Sequence, residues 1–310
     1  MLRAGLLWLS EQRHVSRFVR SSGLARRLAS RFVAGETIES AVTALRELNR
    51  AGMSATLDVL GESVTRAAEA RAARDTYLQA LDRIKGVSAN ANVSLKLTQM
   101  GLDVDEGECV ENVRAIVARA RDYGSFARID MEGSVYTERT LALFTQRLHP
   151  EFGNAVGVVL QSYLRRTERD VAEMISLGAR VRLCKGAYNE AADVAFADKR
   201  EVDDNYVACM ERLLERGDYP AIATHDERII AHAKAFTTRR GIPTARYEFQ
   251  MLYGVRRDLQ RALRREGYQL RVYVPFGDQW YPYLMRRLAE RPANIAFLVG
   301  SVVKESLRRN

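Results

Sequence analysis

The amino-acid sequence predicts an α/β fold, namely a (β/α)8 TIM-type barrel that follows an N-terminal helical arm. Eight short runs rich in β-branched residues recur along the chain. Between most of these runs lie roughly 20 residues of helix-compatible sequence, the alternation that builds a parallel barrel. No run is followed by a G-x-G-x-x-G pattern, which argues against an open, doubly wound sheet. The predicted strands are 54–60, 92–98, 126–131, 156–161, 180–186, 221–225, 246–252 and 270–276.

Two regions are predicted, a helical arm over residues 1–50 and the barrel over residues 51–310. Thr37 opens the last helix of the arm, and Gly52 lies just past its end. The first 35 residues are rich in arginine and contain one acidic residue, Glu11. Such a composition is typical of a folded basic arm, of an amphipathic helix that touches an anionic bilayer, or of an organellar presequence. We favour the folded arm, with membrane contact as its alternative, over a cleaved presequence.

Composition excludes several classes of protein. A hydrophobic content of 47% is too high for a disordered chain. The net charge of +9 comes largely from arginines scattered along helices, as in residues 256–266, which is typical of a solvated helix face. No nucleic-acid-binding signature accompanies this charge, so we expect no nucleic-acid partner. The histidine spacing predicts no metal site, and no apolar run approaches the ~18 residues of a membrane span. The three cysteines stand at unrelated spacings, at Cys109, Cys184 and Cys209. This pattern predicts reduced thiols in a cytoplasmic-type compartment.

Polar residues stand at the carboxyl end of nearly every predicted strand. In a barrel of this type these ends share one mouth, where active sites are built. Singly, each residue could be a buried structural hydrogen-bonding group. Together they predict a ligand site. The residues are Asp58, Lys96, Asp130, Gln161, Arg182, Lys185, Thr224, His225, Gln250 and Tyr273.

Two pairs of charged residues narrow the chemistry. Lys96 and Asp130 follow consecutive strands, so we expect them to lie close enough for an ion pair. That pair has three interpretations: a structural salt bridge, a Schiff-base lysine with its acid–base partner, or a clamp for an amino-acid substrate. Arg182 and Lys185 place two cations beside Gly186, an arrangement that suits a phosphate or an electron-rich ring.

The segment after the eighth strand predicts a helix with a cationic face. Tyr283 lies three residues before Arg286 and four before Arg287, so all three can share one side of the helix. Adjacent arginines beside an aromatic ring can clamp a carboxylate. The alternative is a solvated basic face, which this motif by itself does not exclude.

Seven motifs resemble the flavin domain of proline dehydrogenases in order and spacing. They are SLKLTQMG, RIDMEGS, VVLQSYL, VRLCKGAY, IATHD, YEFQMLYG and YVPFG with YLMRRLAE. The resemblance covers residues 35–310, and the motifs come from seven of the eight strand ends. It implies a monofunctional, FAD-dependent enzyme that oxidises L-proline to Δ1-pyrroline-5-carboxylate, the first step of proline catabolism to glutamate. A separate pyrroline-5-carboxylate dehydrogenase would act next.

The resemblance also implies roles for individual residues. Asp130 and Arg182 match catalytic positions, with Arg182 near the flavin N5 edge. The positions that match the substrate site are Lys96, Asp130, Tyr273, Tyr283, Arg286 and Arg287. The positions that match flavin contacts are Met131, Gln161, Arg182, Lys185, Gly186, Ala187, Tyr188, Thr224 and His225, with Glu290 beside the adenosine part.

The implied chemistry is hydride transfer from proline C5 to flavin N5. The family's arginine pair clamps the substrate carboxylate, and Tyr283 would pack against the far edge of the pyrrolidine ring. No motif supplies a dedicated base for the amine. Electrons would pass to a quinone, which suggests a cytoplasmic protein that associates peripherally with the membrane face. Cys184 stands where related sequences often carry valine, and this departure removes no proposed contact.

Overall fold

The computed structural model describes residues 29–290, with side chains through Met285. Alternating strands and helices occupy this range, as the sequence predicts. The strands are β1 Ser54–Val59, β2 Ala91–Leu95, β3 Ala127–Ile129, β4 Val156–Gln161, β5 Arg180–Cys184, β6 Ala221–Ala223, β7 Glu248–Leu252 and β8 Leu270–Phe276. The helices are α1 Ile38–Arg50, α2 Ala67–Gly86, α3 Glu106–Asp122, α4 Ser134–Leu143, α5 His149–Phe152, α6 Thr167–Ser176, α7 Lys199–Arg216, α8 Glu227–Arg240, α9 Arg257–Arg265 and α10 Trp280–Glu290. Short π or 3-10 segments lie at Phe144–Leu148, Gly153–Ala155 and Thr244–Arg246.

The strands of residues 29–290 form a closed parallel barrel in the order β1 to β8, which confirms the predicted (β/α)8 fold. Closure is made by β1 and β8, whose register places Thr56 opposite Tyr273. Several strands end earlier than predicted. Lys96 already begins a turn, because Met100 N donates to the Lys96 carbonyl at 3.2 Å. The polar residues of the mouth therefore lie at strand ends and in the loops that follow.

Helix α1 packs against both β8 and β1, on the outside of the seam that closes the barrel. Thr37 and Ser40 form a capping box at its start, and the side chain of Thr37 accepts from Ser40 N at 3.2 Å. The buried face of α1 includes Leu45 and Leu48. Helix α1 therefore occupies the place on the outside of the barrel that the helix after β8 takes in a regular (β/α)8 barrel.

Helix α10 occupies a different place. Its first turns form a buried apolar cluster with Leu60, which follows the carboxyl end of β1, and with residues 29–33. Trp280 Nε1 donates to Glu36 Oε1 at 2.9 Å, and Gly277 N donates to the Gly35 carbonyl at 3.0 Å. The chain after β8 therefore lies at the mouth of the barrel, near the predicted site.

Candidate active site

A polar network fills the lower part of the barrel, where aliphatic layers are usual. Arg271 Nε donates to both oxygens of Glu248, at 2.8 and 3.1 Å, and Arg271 Nη1 donates to Asn92 Oδ1 at 3.1 Å. Gln250 Nε2 donates to Glu248 Oε1 at 2.6 Å, and Gln250 Oε1 accepts from Arg182 Nη1 at 3.3 Å. The network therefore supports Arg182 from below.

Arg182 and Asp130 form a buried ion pair at the mouth. Ser94 Oγ donates to Asp130 Oδ1 at 2.6 Å and accepts from Arg182 Nη2 at 2.9 Å. Tyr273 OH donates to Asp130 Oδ2 at 2.7 Å, and the Arg182 guanidinium lies 5.1 Å from the Tyr273 ring centre. Groups from β2, β5 and β8 thus converge on one carboxylate, which directly follows β3.

Lys96 lies beside this cluster and forms its own ion pair. Its Nζ donates to Asp58 Oδ1 at 3.1 Å. This corrects the expectation that Asp130 would be the ion-pair partner of Lys96, although the two charges still interact over a longer distance. The strand register explains the difference, because Asp58 lies opposite Ser94, two residues before Lys96.

Electrostatics keep these groups charged. Burial by itself lowers the pKa of Lys96, but the carboxylates of Asp58 and Asp130 outweigh it and hold that pKa above its ordinary value. Burial raises the pKa of Asp130, whereas Arg182 and Lys96 lower it and prevail. Two cations and two carboxylates therefore balance at the mouth before any ligand enters.

The segment after β5 carries the second predicted cation. Lys185 Nζ donates to Asp203 Oδ1 at 2.5 Å and to Asp226 Oδ2 at 3.1 Å, so two carboxylates neutralise it. Gly186 has φ +105°, and a Cβ there would lie 2.2 Å from the Tyr163 ring. Only glycine fits this close approach, since the backbone conformation and the ring both exclude a side chain.

The other predicted cofactor residues surround the same mouth. Gln161 Nε2 donates to the Met131 carbonyl at 3.3 Å, and both side chains are buried. Thr224 Oγ1 accepts from Asp226 N at 3.1 Å, and His225 Nε2 accepts from Leu252 N at 2.9 Å. A neutral imidazole that accepts at Nε2 carries its proton on Nδ1. Two further predicted residues, half-buried in the loop after β5, are Ala187 and Tyr188.

The predicted carboxylate clamp is described only in part. Tyr283 is buried on α10, within the cluster that contains Leu60. The side chains of three predicted residues lie outside the described range, so their roles stay predictions. They are Arg286, Arg287 and Glu290.

Sequence reasoning missed three polar groups. Ser94 bridges the Arg182–Asp130 pair, and its position two residues before Lys96 on the inward face of β2 was an available signal. Glu132 is buried and accepts from Thr98 Oγ1 at 2.7 Å. Glu190 binds residues of two other loops, a contact that strand periodicity does not reveal.

Comparison with known proteins identifies the family. The family model for proline dehydrogenase matches residues 41–299. The chain belongs to the proline dehydrogenase family. Proline dehydrogenase 1 of Bacillus subtilis is 43% identical over 305 residues, which is 98% of this chain and all of the relative. Proline dehydrogenase of Deinococcus radiodurans is 42% identical, with 98% of each chain covered.

Solved structures agree with this assignment. Proline utilization A from Bdellovibrio bacteriovorus, inactivated by N-propargylglycine, superposes with a TM-score of 0.81 at 28% identity. The match covers 90% of this chain and 34% of that one. A mutant of Bradyrhizobium japonicum proline utilization A gives a TM-score of 0.74 at 26% identity, covering 88% of this chain and 32% of that one. This chain is an oxidoreductase of proline catabolism with the barrel fold of that family.

Proposed function

We propose that this proline dehydrogenase uses FAD to oxidise L-proline to Δ1-pyrroline-5-carboxylate, by hydride transfer from C5 to flavin N5. The observation that supports this proposal best is the arrangement of charges at the barrel mouth. Two buried ion pairs lie there, Lys96–Asp58 and Arg182–Asp130, and the loop after β5 carries Gly186.

The residues around that turn fit a flavin. Gln161 Oε1 is buried and has no hydrogen-bond partner among the described residues. Buried acceptors are normally satisfied, so this one suits an N–H group of a bound ring. Gly186 packs directly on the Tyr163 ring, which brings the loop after β5 against the loop that follows Gln161. Holding the cofactor falls to Met131, Gln161, Arg182, Lys185, Gly186, Ala187, Tyr188, Thr224 and His225, with Glu290 near the adenosine part.

Bound FAD supplies the hydride acceptor. The protein orients proline, which lowers the entropic part of the barrier. Lys96 is already balanced by Asp58, so the extra positive charge for the substrate carboxylate falls to Arg286 and Arg287. Tyr283 packs against the far edge of the substrate ring.

Asp130 and Arg182 act together at the centre of the mouth. Asp130 holds Arg182, Tyr273 and Ser94 in fixed positions, through one hydrogen-bonded contact with each. The fixed guanidinium of Arg182 is a cation that would favour an electron-rich ring held beside it. The amine of proline must be neutral before hydride leaves C5, and its ammonium proton is given up to a water molecule or to the medium.

A Schiff-base lyase built on Lys96 is disfavoured by the same electrostatics. Such a lysine needs a neutral amine at neutral pH, and the neighbouring carboxylates instead raise the pKa of Lys96 above its ordinary value. That alternative predicts a lysine adduct that borohydride traps with a carbonyl substrate.

We further propose a quinone acceptor, reached through peripheral contact of the basic N-terminal residues with an anionic membrane. No helix within residues 29–290 has the length and apolar content required to cross a bilayer. Deleting residues 1–28 should weaken binding to anionic liposomes and leave dye-coupled proline oxidation intact. Liposome binding that survives the deletion would contradict this part of the proposal.

The decisive experiment is a visible absorption spectrum recorded before and after anaerobic addition of L-proline. We expect a flavin band that bleaches with L-proline and persists with a non-cyclic amino acid. A protein that stays colourless after incubation with FAD would refute the cofactor. A flavin band that L-proline leaves unchanged would refute the proposed reaction.

A further inference from the structure

Glu190, in the loop after β5, connects three consecutive loops at the barrel mouth. Its Oε1 accepts from Ser134 N at 2.8 Å and from Tyr163 OH at 3.2 Å, and its Oε2 accepts from Ser134 Oγ. Ser134 follows β3 and Tyr163 follows β4. One carboxylate therefore ties together the loops that follow β3, β4 and β5.

The contact with Ser134 also caps a helix. Helix α4 begins at Ser134, and its N-cap residue, Gly133, has no side chain that can accept a hydrogen bond. The first turn of α4 contains no acidic residue. Glu190 supplies the missing acceptor and negative charge from another loop, which is favourable at a helix N-terminus. Its place is therefore fixed by a charge-assisted contact.

The tied loops are those that carry residues assigned above to FAD. Met131 precedes Ser134 by three residues, Gln161 precedes Tyr163 by two, and Gly186 packs on the Tyr163 ring. Backbone contacts strengthen the link, since Tyr163 N donates to the Lys185 carbonyl at 2.8 Å. If these loops were independent, each would need to be ordered when the cofactor binds.

We propose that Glu190 is a positioning residue for FAD, holding the three loops in the arrangement that receives the cofactor. The inference rests on the proposed FAD-dependent function. Without this contact, only a fraction of molecules has all three loops in place, and the apparent Kd for FAD rises in inverse proportion to that fraction. Lys96 and Asp58, at the proposed proline site, are not among the residues that Glu190 contacts in the described structure.

The test compares Glu190→Ala with Glu138→Ala. Glu138 lies on α4 as well, but it pairs with Arg166 at an exposed site and contacts no residue of the loop after β5 in the described structure. Each protein is stripped of cofactor and titrated with FAD, and its melting temperature is measured with and without FAD. Glu190→Gln, which keeps the side-chain size, carries the same test if the alanine variant does not fold.

We expect Glu190→Ala to raise the Kd for FAD by about tenfold, equivalent to roughly 1.4 kcal/mol, with Glu138→Ala unchanged. The gain in melting temperature on adding FAD should shrink for Glu190→Ala alone. The inference would be overturned if Glu190→Ala left the Kd for FAD unchanged and lowered the melting temperature equally with and without FAD. That result would show that the contact is merely structural. A wild-type protein that binds no FAD would refute the proposed cofactor itself. If the wild-type protein binds FAD and Glu190→Ala binds it with the same Kd, only the role of Glu190 is refuted.

Discussion

Two of the buried ion pairs in the barrel, Arg271–Glu248 and Lys96–Asp58, look alike and behave differently. In the lower layer, Arg271 donates to both oxygens of Glu248 and also to Asn92. In the upper layer, Lys96 Nζ donates to Asp58 Oδ1 at 3.1 Å. Both layers are buried, but the lower pair is enclosed by partners and the upper pair lies at the mouth.

The difference appears in the carboxylates. Burial acts to raise the pKa of Glu248, but Arg271 and its hydrogen bonds prevail and hold that pKa below its ordinary value. The pKa of Asp58 is raised, by burial first and by the charge of Asp130, in spite of Lys96. Its partners thus outweigh burial at Glu248, whereas burial and the charge of Asp130 outweigh Lys96 at Asp58. An ion pair that is fully hydrogen-bonded inside the protein, such as Arg271–Glu248, stabilises the fold. The Lys96–Asp58 pair lies at the mouth, where a ligand can contact it.

The largest effect is expected from breaking the lower pair. Arg271→Met leaves Glu248 charged, buried and without its cation, and loss of one buried partner lowers the free energy of unfolding by about 3–5 kcal/mol. Turnover per FAD-loaded molecule should fall less than about tenfold, because the site above stays assembled. Urea unfolding and flavin-normalised kinetics measure the two quantities. If Arg271→Met is nearly as stable as the wild-type protein but loses most of its turnover, the lower pair serves the reaction and not the stability of the fold.

Breaking the upper pair should give the opposite pattern. Lys96→Met removes a cation from the proposed substrate site, which is worth roughly 2–5 kcal/mol, so kcat/KM for L-proline should fall about 30-fold or more. Asp58 can then take up a proton, so stability should fall less than in Arg271→Met. Lys234→Met, at a surface pair with Glu266, is the control. Normal kcat/KM in Lys96→Met would refute its place in the site.

A smaller effect, which depends on pH, is expected at Glu132. Burial raises the pKa of this carboxyl from 4.5 to about 7. Between these values the folded state binds more protons at this site than the unfolded state, so stability falls as pH rises and levels off above pH 7 at a cost of about 3 kcal/mol. Glu132→Gln removes that charge and should stabilise the protein at pH 8 much more than at pH 5. Equal changes at both pH values, measured by urea unfolding, would show that Glu132 does not titrate in this way.

The sequence was sufficient for the barrel and for many residues of its mouth. A polar residue directly after a β-branched run is a local signal, and it located Lys96 and Asp130 one residue past the ends of β2 and β3, whereas Arg182 lies within β5. Pairing was not local. Lys96 bonds to Asp58 because of the register between β1 and β2, which the sequence pattern does not encode.

Loop contacts were still less accessible to sequence reasoning. Glu190 reaches Ser134 across 56 positions of the chain, through a loop whose path follows no periodicity. The early end of β2 likewise depends on a turn that begins at the Lys96 carbonyl. Such features arise from tertiary packing, so they emerge only when the whole barrel is assembled.

The position of α1 has a consequence for how the protein is made. This helix leaves the ribosome before any strand of the barrel, yet its apolar face, including Leu45 and Leu48, packs against β8, which is synthesised about 220 residues later. Contacts between such distant parts of a chain form late and slowly. The seam of the barrel therefore closes only after β8 has been synthesised, and until then the apolar face of α1 lacks this partner and can be bound by chaperones.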